Sequence, residues 1–388
     1  MKKQFLFVAL AALGLTACQG GTTDVTSDKE TALQQAVTPY VNNTVIATYS
    51  AMADAGMTLL DQTEQILDKV TKGEDYSKLM EDAGTSWRLM RKHWEQSEAF
   101  LYGPAASHNI DPHFDSWPLD FNAMNALLHD EARMAAIEEE GGAYVGDKLG
   151  YALKDFHAAE YLLFESVEND GRAVGTGRPH AANLTHAEAV YLYGIVEDLT
   201  QQAILLEYCW AGEVSPAKMA LLEEGEVDLY EDNYGWQMCN AGKPGSIYVS
   251  YQEAAEEIIA GCVDIAGEVA ELKMGNPYIS STPEERDYIE SPYSCTSTID
   301  FADNIRSIQH AYCGAQAGDR SISNYVYRQD ADLDARVRKA IEDAISAIEE
   351  IGDFENTAQN NPLVKAAIDK VAELEEILDD EVLPLLSK

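Results

Sequence analysis

Positive charge is what this chain has least of. Lys and Arg number 27 against 67 Asp and Glu, a net charge of −40 over 388 residues. A surface of that sign repels phosphate backbones and anionic headgroups and gathers cations, so nucleic acid is not an expected partner. Cysteine is scarce too. Besides Cys18 there are Cys209, Cys239, Cys262, Cys295 and Cys313, an odd set with no spacing that dictates a disulfide. After Phe5–Leu15 no stretch is apolar for long enough to cross a bilayer. Strand-like alternation is missing, and with it any strand–glycine loop–helix phosphate cradle or Gly-x-Ser-x-Gly elbow. The helical zinc-peptidase pattern His-Glu-x-x-His is absent, and its inverse His-x-x-Glu-His fails because Tyr161 holds the last position.

What is present begins with MKKQFLFVALAALGLTAC. Two lysines, a short apolar core and small residues before a cysteine read as an export signal over residues 1–17. The closing LTAC resembles a bacterial lipobox, which implies cleavage before Cys18 and lipidation of that residue. An ordinary signal peptide is the alternative. A polar tether follows over 18–32, and a membrane contact through lipid at Cys18 is expected. Gln19, where an aspartate would hold some lipoproteins at the inner membrane, points to the outer membrane.

The remainder reads as all-α. Thr38-Pro39 suggests a helix start, and apolar residues from Tyr40 to Val70 recur at helical spacing. Further helices are expected over about 76–101, 147–166, 185–210, 247–274, 298–313, 332–351 and 362–378. Thr185-x-x-Glu188 and Ser281-Thr282-Pro283-Glu284-Glu285 have the form of capping boxes. Tyr40 and Gly103 are echoed by Tyr251 and Gly314 at a common offset of 211 residues. This weak repeat predicts two antiparallel helical bundles, 33–240 and 241–388, with a ligand cleft between them.

Within DFHAAEYLLF, His157 and Glu160 stand three apart and so share a helix face. Imidazole and carboxylate together suit iron, zinc or manganese, but two ligands need others to converge on them. A histidine hydrogen-bonded inside a bundle is the competing reading. Glu95 and Glu98 repeat the spacing in the segment from Trp87 to Phe100, where a solvated face is the alternative. IDPHFDSWPLDF, residues 110–121, sets Asp111, Asp115, Asp120, His113 and Trp117 around two prolines, either as hard-cation ligands or as a turn leading into a helix near Asp120.

WEQSEAFLYGP, IDPHFDSWPLDF, HAAEYLLF and IESPYSCTSTIDFADNIRSIQHAYCG, in that order, resemble the imelysin-like family. The likeness spans about residues 35 to 385. It implies a two-bundle exported protein whose Gly-x-His-x-x-Glu motif is taken to bind metal. Here Asp155 stands at the glycine position. Carried over by residue, His157, Glu160, Glu95 and Asp115 are the implied metal ligands, and Glu98, Trp117, Asp300 and Arg306 the other cleft residues. The resemblance implies an iron-uptake role with iron-transport proteins as partners, and iron as the ion, with zinc or copper as alternatives. A zinc-dependent peptidase and a non-enzymatic ligand- or partner-binding module are the competing functions.

Overall fold

The computed structural model describes residues 22–169, 172–282 and 288–388. The segment read as an export signal, Cys18 and the start of the expected tether lie outside these, as does most of the second expected capping box. Among these described residues helices dominate, and a short antiparallel hairpin pairs Phe164–Asn169 with Arg172–Pro179. Among the described residues no helix is long and apolar enough to cross a membrane.

The chain enters as a helix, Thr22–Pro39, so the segment read as a tether up to residue 32 is helical from Thr22. Lys29 Nζ donates to Gln252 Oε1 and to the Leu386 carbonyl, both at 2.6 Å, and Glu30 accepts from the Tyr251 amide at 2.7 Å. These contacts fix it against the second half of the sequence. Pro39 does not start a helix as expected. Its missing N–H and crowding ring are met by a wide π-helical turn, Tyr40–Val45, which passes directly into Ile46–Lys72.

Ile46–Lys72 packs against both Ser77–Glu95 and His186–Ala211, and Trp87, Tyr49 and Trp210 on these three helices are buried. The Thr185–Glu188 capping box is formed, and Gly212 closes the last helix in the left-handed conformation. A second set comprises Tyr251–Glu268, Ser297–Cys313, Ala331–Glu349 and Pro362–Ile377, and Thr22–Pro39 packs on Tyr251–Glu268.

Two departures from the sequence reading position the site. The helix expected over 76–101 ends at Glu95, and Glu98–Phe100 is a separate 3-10 turn before Gly103 at φ 68°. The helix expected over 147–166 is broken into Gly142–Lys148, a turn at Tyr151–Leu153, and Phe156–Leu163. Asp155 starts the last of these, its Oδ1 accepting from the amides of His157 at 3.0 Å and Ala158 at 2.9 Å. At Phe164 the chain turns extended. The hairpin then carries Gly175 against the backbone of Pro292 and Tyr293, a place with no room for a Cβ, and the Gly177 amide donates to the Tyr293 carbonyl at 3.1 Å.

Candidate metal centre

That hairpin delivers the loop at Ser291–Cys295 to the face of the helix Phe156–Leu163. Glu160 Oε1 accepts from the Tyr293 amide (3.0 Å), the Ser294 amide (2.7 Å) and Ser294 Oγ (2.6 Å). Glu160 Oε2 lies 3.4 Å from His157 Nδ1, and His157 Nε2 lies 2.8 Å from Asp115 Oδ1. The imidazole, fully buried, thus bridges two carboxylates, with the Trp117 ring against it at 4.7 Å. Asp155 ties the loop to the helix, because its Oδ2 accepts from the Ser116 amide at 3.3 Å. The residue standing at the family's glycine position is therefore a cap and a brace.

At the centre is a residue that sequence reading passed over. Arg91, fully buried, places Nη1 2.9 Å from Asp115 Oδ1, Nη2 2.6 Å from Glu95 Oε1, and Nε 3.5 Å from Asp300 Oδ2; Nη2 also pairs with Glu290. Lys273, equally hidden, has Nζ 3.3 Å from Glu290, 3.6 Å from Glu98 and 3.9 Å from both Glu95 and Glu268. Asp300 also accepts from Ser291 Oγ (2.5 Å) and Thr296 Oγ1 (3.2 Å), and Glu95 Oε2 from Asn304 Nδ2 (2.5 Å).

Six buried or nearly buried carboxylates (Glu95, Glu98, Asp115, Glu160, Glu290 and Asp300), with the half-exposed Glu268 beside them, thus crowd around three cationic groups, Arg91, Lys273 and His157. Burying unbalanced charge is costly, and protonation partly relieves it here. Burial raises Glu95 and Glu98 well above the usual carboxylate range, against the pull of Arg91 and Lys273 respectively, and pushes Asp300 up to about 7. Burial alone would lower His157. The hydrogen bonds to Asp115 and then Glu160 outweigh it and push the imidazole up to about 10. Burial also opposes the Asp115 charge, yet Arg91, followed by His157, holds that carboxyl well below its ordinary value.

A cavity of about 140 Å³ opens here, lined by Asp115 and Trp117 from the first half and by Glu268, Leu272, Lys273, Tyr288 and Glu290 from the second. Two overlapping sets of side chains bring ligand atoms within 4.8 Å of one another: Asp115, His157 and Glu290, and Glu95, Glu98 and Asp115. Imidazole with carboxylates suits a first-row ion, the purely carboxylate set a harder one. Several buried donors and acceptors are near partners but poorly aligned. Arg91 Nε and Nη1 and Glu95 Oε1 make no hydrogen bond despite their close charges. The residues fit an added cation, because Glu95 Oε1 is a buried carboxylate oxygen that no hydrogen bond satisfies, on a member of one of the two ligand sets.

The remaining expectations fall in different places. Glu160 belongs to neither ligand set and anchors the loop instead. Arg306 is outside the cluster, paired with Asp303 at 2.9 Å and with Glu349. Asp120 caps the helix Phe121–Leu128 through the Ala123 amide. His113 faces Lys154 at 3.2 Å and Asp198 at 3.4 Å. Besides Arg91, the sequence reading missed Lys273, Glu268 and Glu290. Arg91 had a local signal, four residues before Glu95 on one helix face; Lys273 had none.

A family model described as Imelysin matches residues 45–379. The iron-regulated protein A of Synechococcus elongatus is 26% identical over 361 residues, covering 91% of this chain and 86% of that protein. A crystal structure titled as an iron-regulated protein A precursor from Parabacteroides distasonis is similar with a TM-score of 0.70 at 23% identity, covering 92% of this chain and 96% of that one. An imelysin-like protein from Psychrobacter arcticum gives 0.59 at 11% identity, with the same coverage of each chain. At these identities the solved structures speak for the fold.

Proposed function

The chain belongs to the Imelysin family, and on that premise we propose that it is a lipid-anchored protein of the cell envelope that binds a metal ion, iron first among the choices, in the service of iron uptake. The observation that carries the reading is the buried surplus of carboxylates around Arg91 and Lys273, within ligand reach of His157 and beside a cavity. Asp115, His157 and Glu290 would hold the ion, with Glu95 and Glu98 adding oxygen donors. His157 would give up a proton to become a ligand, and Trp117 would keep its ring in place. The name of the relative from Synechococcus elongatus, iron-regulated protein A, supports the iron connection. The sequence at Cys18 supports the anchor, with the outer membrane as its site and envelope iron-transport proteins as partners.

A peptidase would need a free base beside its ion. Glu160, the carboxylate next to His157 on the helix, already receives three hydrogen bonds from Tyr293 and Ser294, so that alternative gains nothing from the geometry. Titration calorimetry of metal-stripped protein with ferrous, ferric, zinc and copper ions tests the proposal. Binding by the native chain, weakened at least about tenfold in His157→Ala and in Glu290→Gln, is expected. Equal affinity in native and variant proteins would remove these residues from the site.

A further inference from the structure

A different trio of side chains, none of them shared with the Arg91 cluster, meets in the first half of the molecule. His108 follows the turn Pro104–Ser107, Cys209 sits in the last turn of His186–Ala211, and Asp232 lies just before the helix Tyr234–Cys239. The fold brings one nitrogen, one sulfur and one oxygen from these three segments within 4.8 Å of one another.

Their arrangement is ordered on each side. The His108 ring is stacked on Tyr230, centroids 3.6 Å apart and planes within 5°, which fixes the direction of its nitrogens. His108 Nε2 lies 2.5 Å from Asp232 Oδ2. Gln237 Nε2 donates to the Asp232 carbonyl at 2.9 Å and holds that stretch of chain. Cys209 is buried, its Sγ only 3.8 Å from the Tyr230 carbonyl, whereas the side chains of His108 and Asp232 are 17% and 31% exposed. The sulfur is therefore the buried member of the trio, and the two other donors are partly open to solvent.

We propose that His108, Cys209 and Asp232 form a second metal site, for a borderline divalent cation of the zinc class. Imidazole, thiolate and carboxylate are the donors such an ion takes, and three protein ligands leave its fourth position to water. On binding, the sulfur–metal bond forms as the thiol proton leaves to solvent, and His108 Nε2 exchanges its hydrogen bond to Asp232 for the metal, its proton moving to Nδ1 or to solvent. No change of oxidation state is involved. The site is chemically distinct from the carboxylate cluster because it alone offers sulfur.

Cobalt is the probe, since a thiolate bound to Co(II) gives a near-ultraviolet charge-transfer band that oxygen and nitrogen ligands do not. Reduced, metal-stripped full-length protein titrated with Co(II) should develop this band to saturation, and zinc should bleach it. Cys209→Ser should abolish it, Asp232→Asn should weaken cobalt binding at least about tenfold, and His157→Ala should leave the band intact. Absence of the band from the native protein, or its persistence in Cys209→Ser, overturns the proposal. If Cys209→Ser fails to fold by circular dichroism, Asp232→Asn, at a partly exposed position, decides: unchanged cobalt affinity read from the band in that variant overturns the proposal as well.

Discussion

Glu160 Oε1 and Ser294 are joined twice, through the Ser294 amide at 2.7 Å and its hydroxyl at 2.6 Å. The contact spans 134 positions of sequence and is buried throughout. It makes the glutamate of the His-x-x-Glu pair a structural fastener between the two halves of the chain. Arg88 reinforces it from the other side by donating to the carbonyls of Ser294 (3.0 Å) and Gly177 (2.7 Å).

Removing the fastener should show in folding before it shows in ligand binding. Glu160→Ala strands two buried backbone N–H groups, each worth about 1–3 kcal/mol when left unpaired. We expect a loss of roughly 3 kcal/mol in metal-free protein by urea denaturation, with Glu160→Gln losing less because its amide oxygen can still accept. A Glu160→Ala variant of native stability would show that the loop is held by other contacts.

Arg91 is the harder residue to lose. Arg91→Met leaves Asp115, Glu95, Glu290 and Asp300 without their shared counter-charge, and breaking a buried ion-pair network from one side costs about 3–5 kcal/mol. The same change makes the pocket more negative. Added divalent cation should therefore recover a larger share of stability in Arg91→Met than in native protein, read as the shift in urea midpoint with and without metal. A cost that cations do not alter would mean that the carboxylates are neutral, not awaiting a cation.

Much of the architecture was readable, and the reason is periodicity. Helices such as His186–Ala211 and Ser297–Cys313 end within a residue or two of the positions that apolar spacing and caps suggest. Pro39 misled because a proline that usually opens a helix here sits inside one, next to a widened turn. The hairpin was invisible because Gly175 is chosen by the backbone of Pro292 and Tyr293 lying against it, a tertiary demand with no local pattern. The site divides in the same way. His157 and Asp115 stand in recognisable segments, as does Glu290 at the start of IESPYSC, whereas Lys273 comes to them only through folding.

The titrating groups set a direction for stability against pH. Burial pushes Asp111 up to about 6 and Asp155 and Asp300 up to about 7, from an ordinary 3.8, and His157 goes from 6.5 to about 10 because its two carboxylate hydrogen bonds overcome burial. In each case the folded chain keeps a proton that the unfolded chain has released, so stability falls as pH rises through these intervals. The acids' contribution is complete below 3.8 and lost by about 7; that of His157 is complete below 6.5 and lost as pH passes about 10. Asp115, with its lowered value, acts in the opposite sense only below 3.8. Metal-free protein should therefore melt at a higher temperature near about pH 5 than near about pH 8. The reverse order in scanning calorimetry would contradict these assignments.

Gly261 offers a way to disturb the site without touching a charged group. It lies in the helix Tyr251–Glu268, where a Cβ would strike the carbonyl oxygen of Ala99 and approach Tyr102 Cδ1 to 3.2 Å. Ala99 belongs to the short turn that carries Glu98 and follows Glu95, so the glycine sets how closely the second group of helices approaches the acidic segment. Gly261→Ala must push them apart, at a cost of about 1–3 kcal/mol for overpacking. Because Lys273 follows on the same continuous stretch, its distances to Glu95 and Glu98 should lengthen, and cation affinity should fall with stability. Gly150→Ala, where a Cβ meets nothing within 4 Å, is the matched control and should stay within about 0.5 kcal/mol of native. Full stability and unchanged affinity in Gly261→Ala would mean that the approach of the two helix groups does not govern the centre.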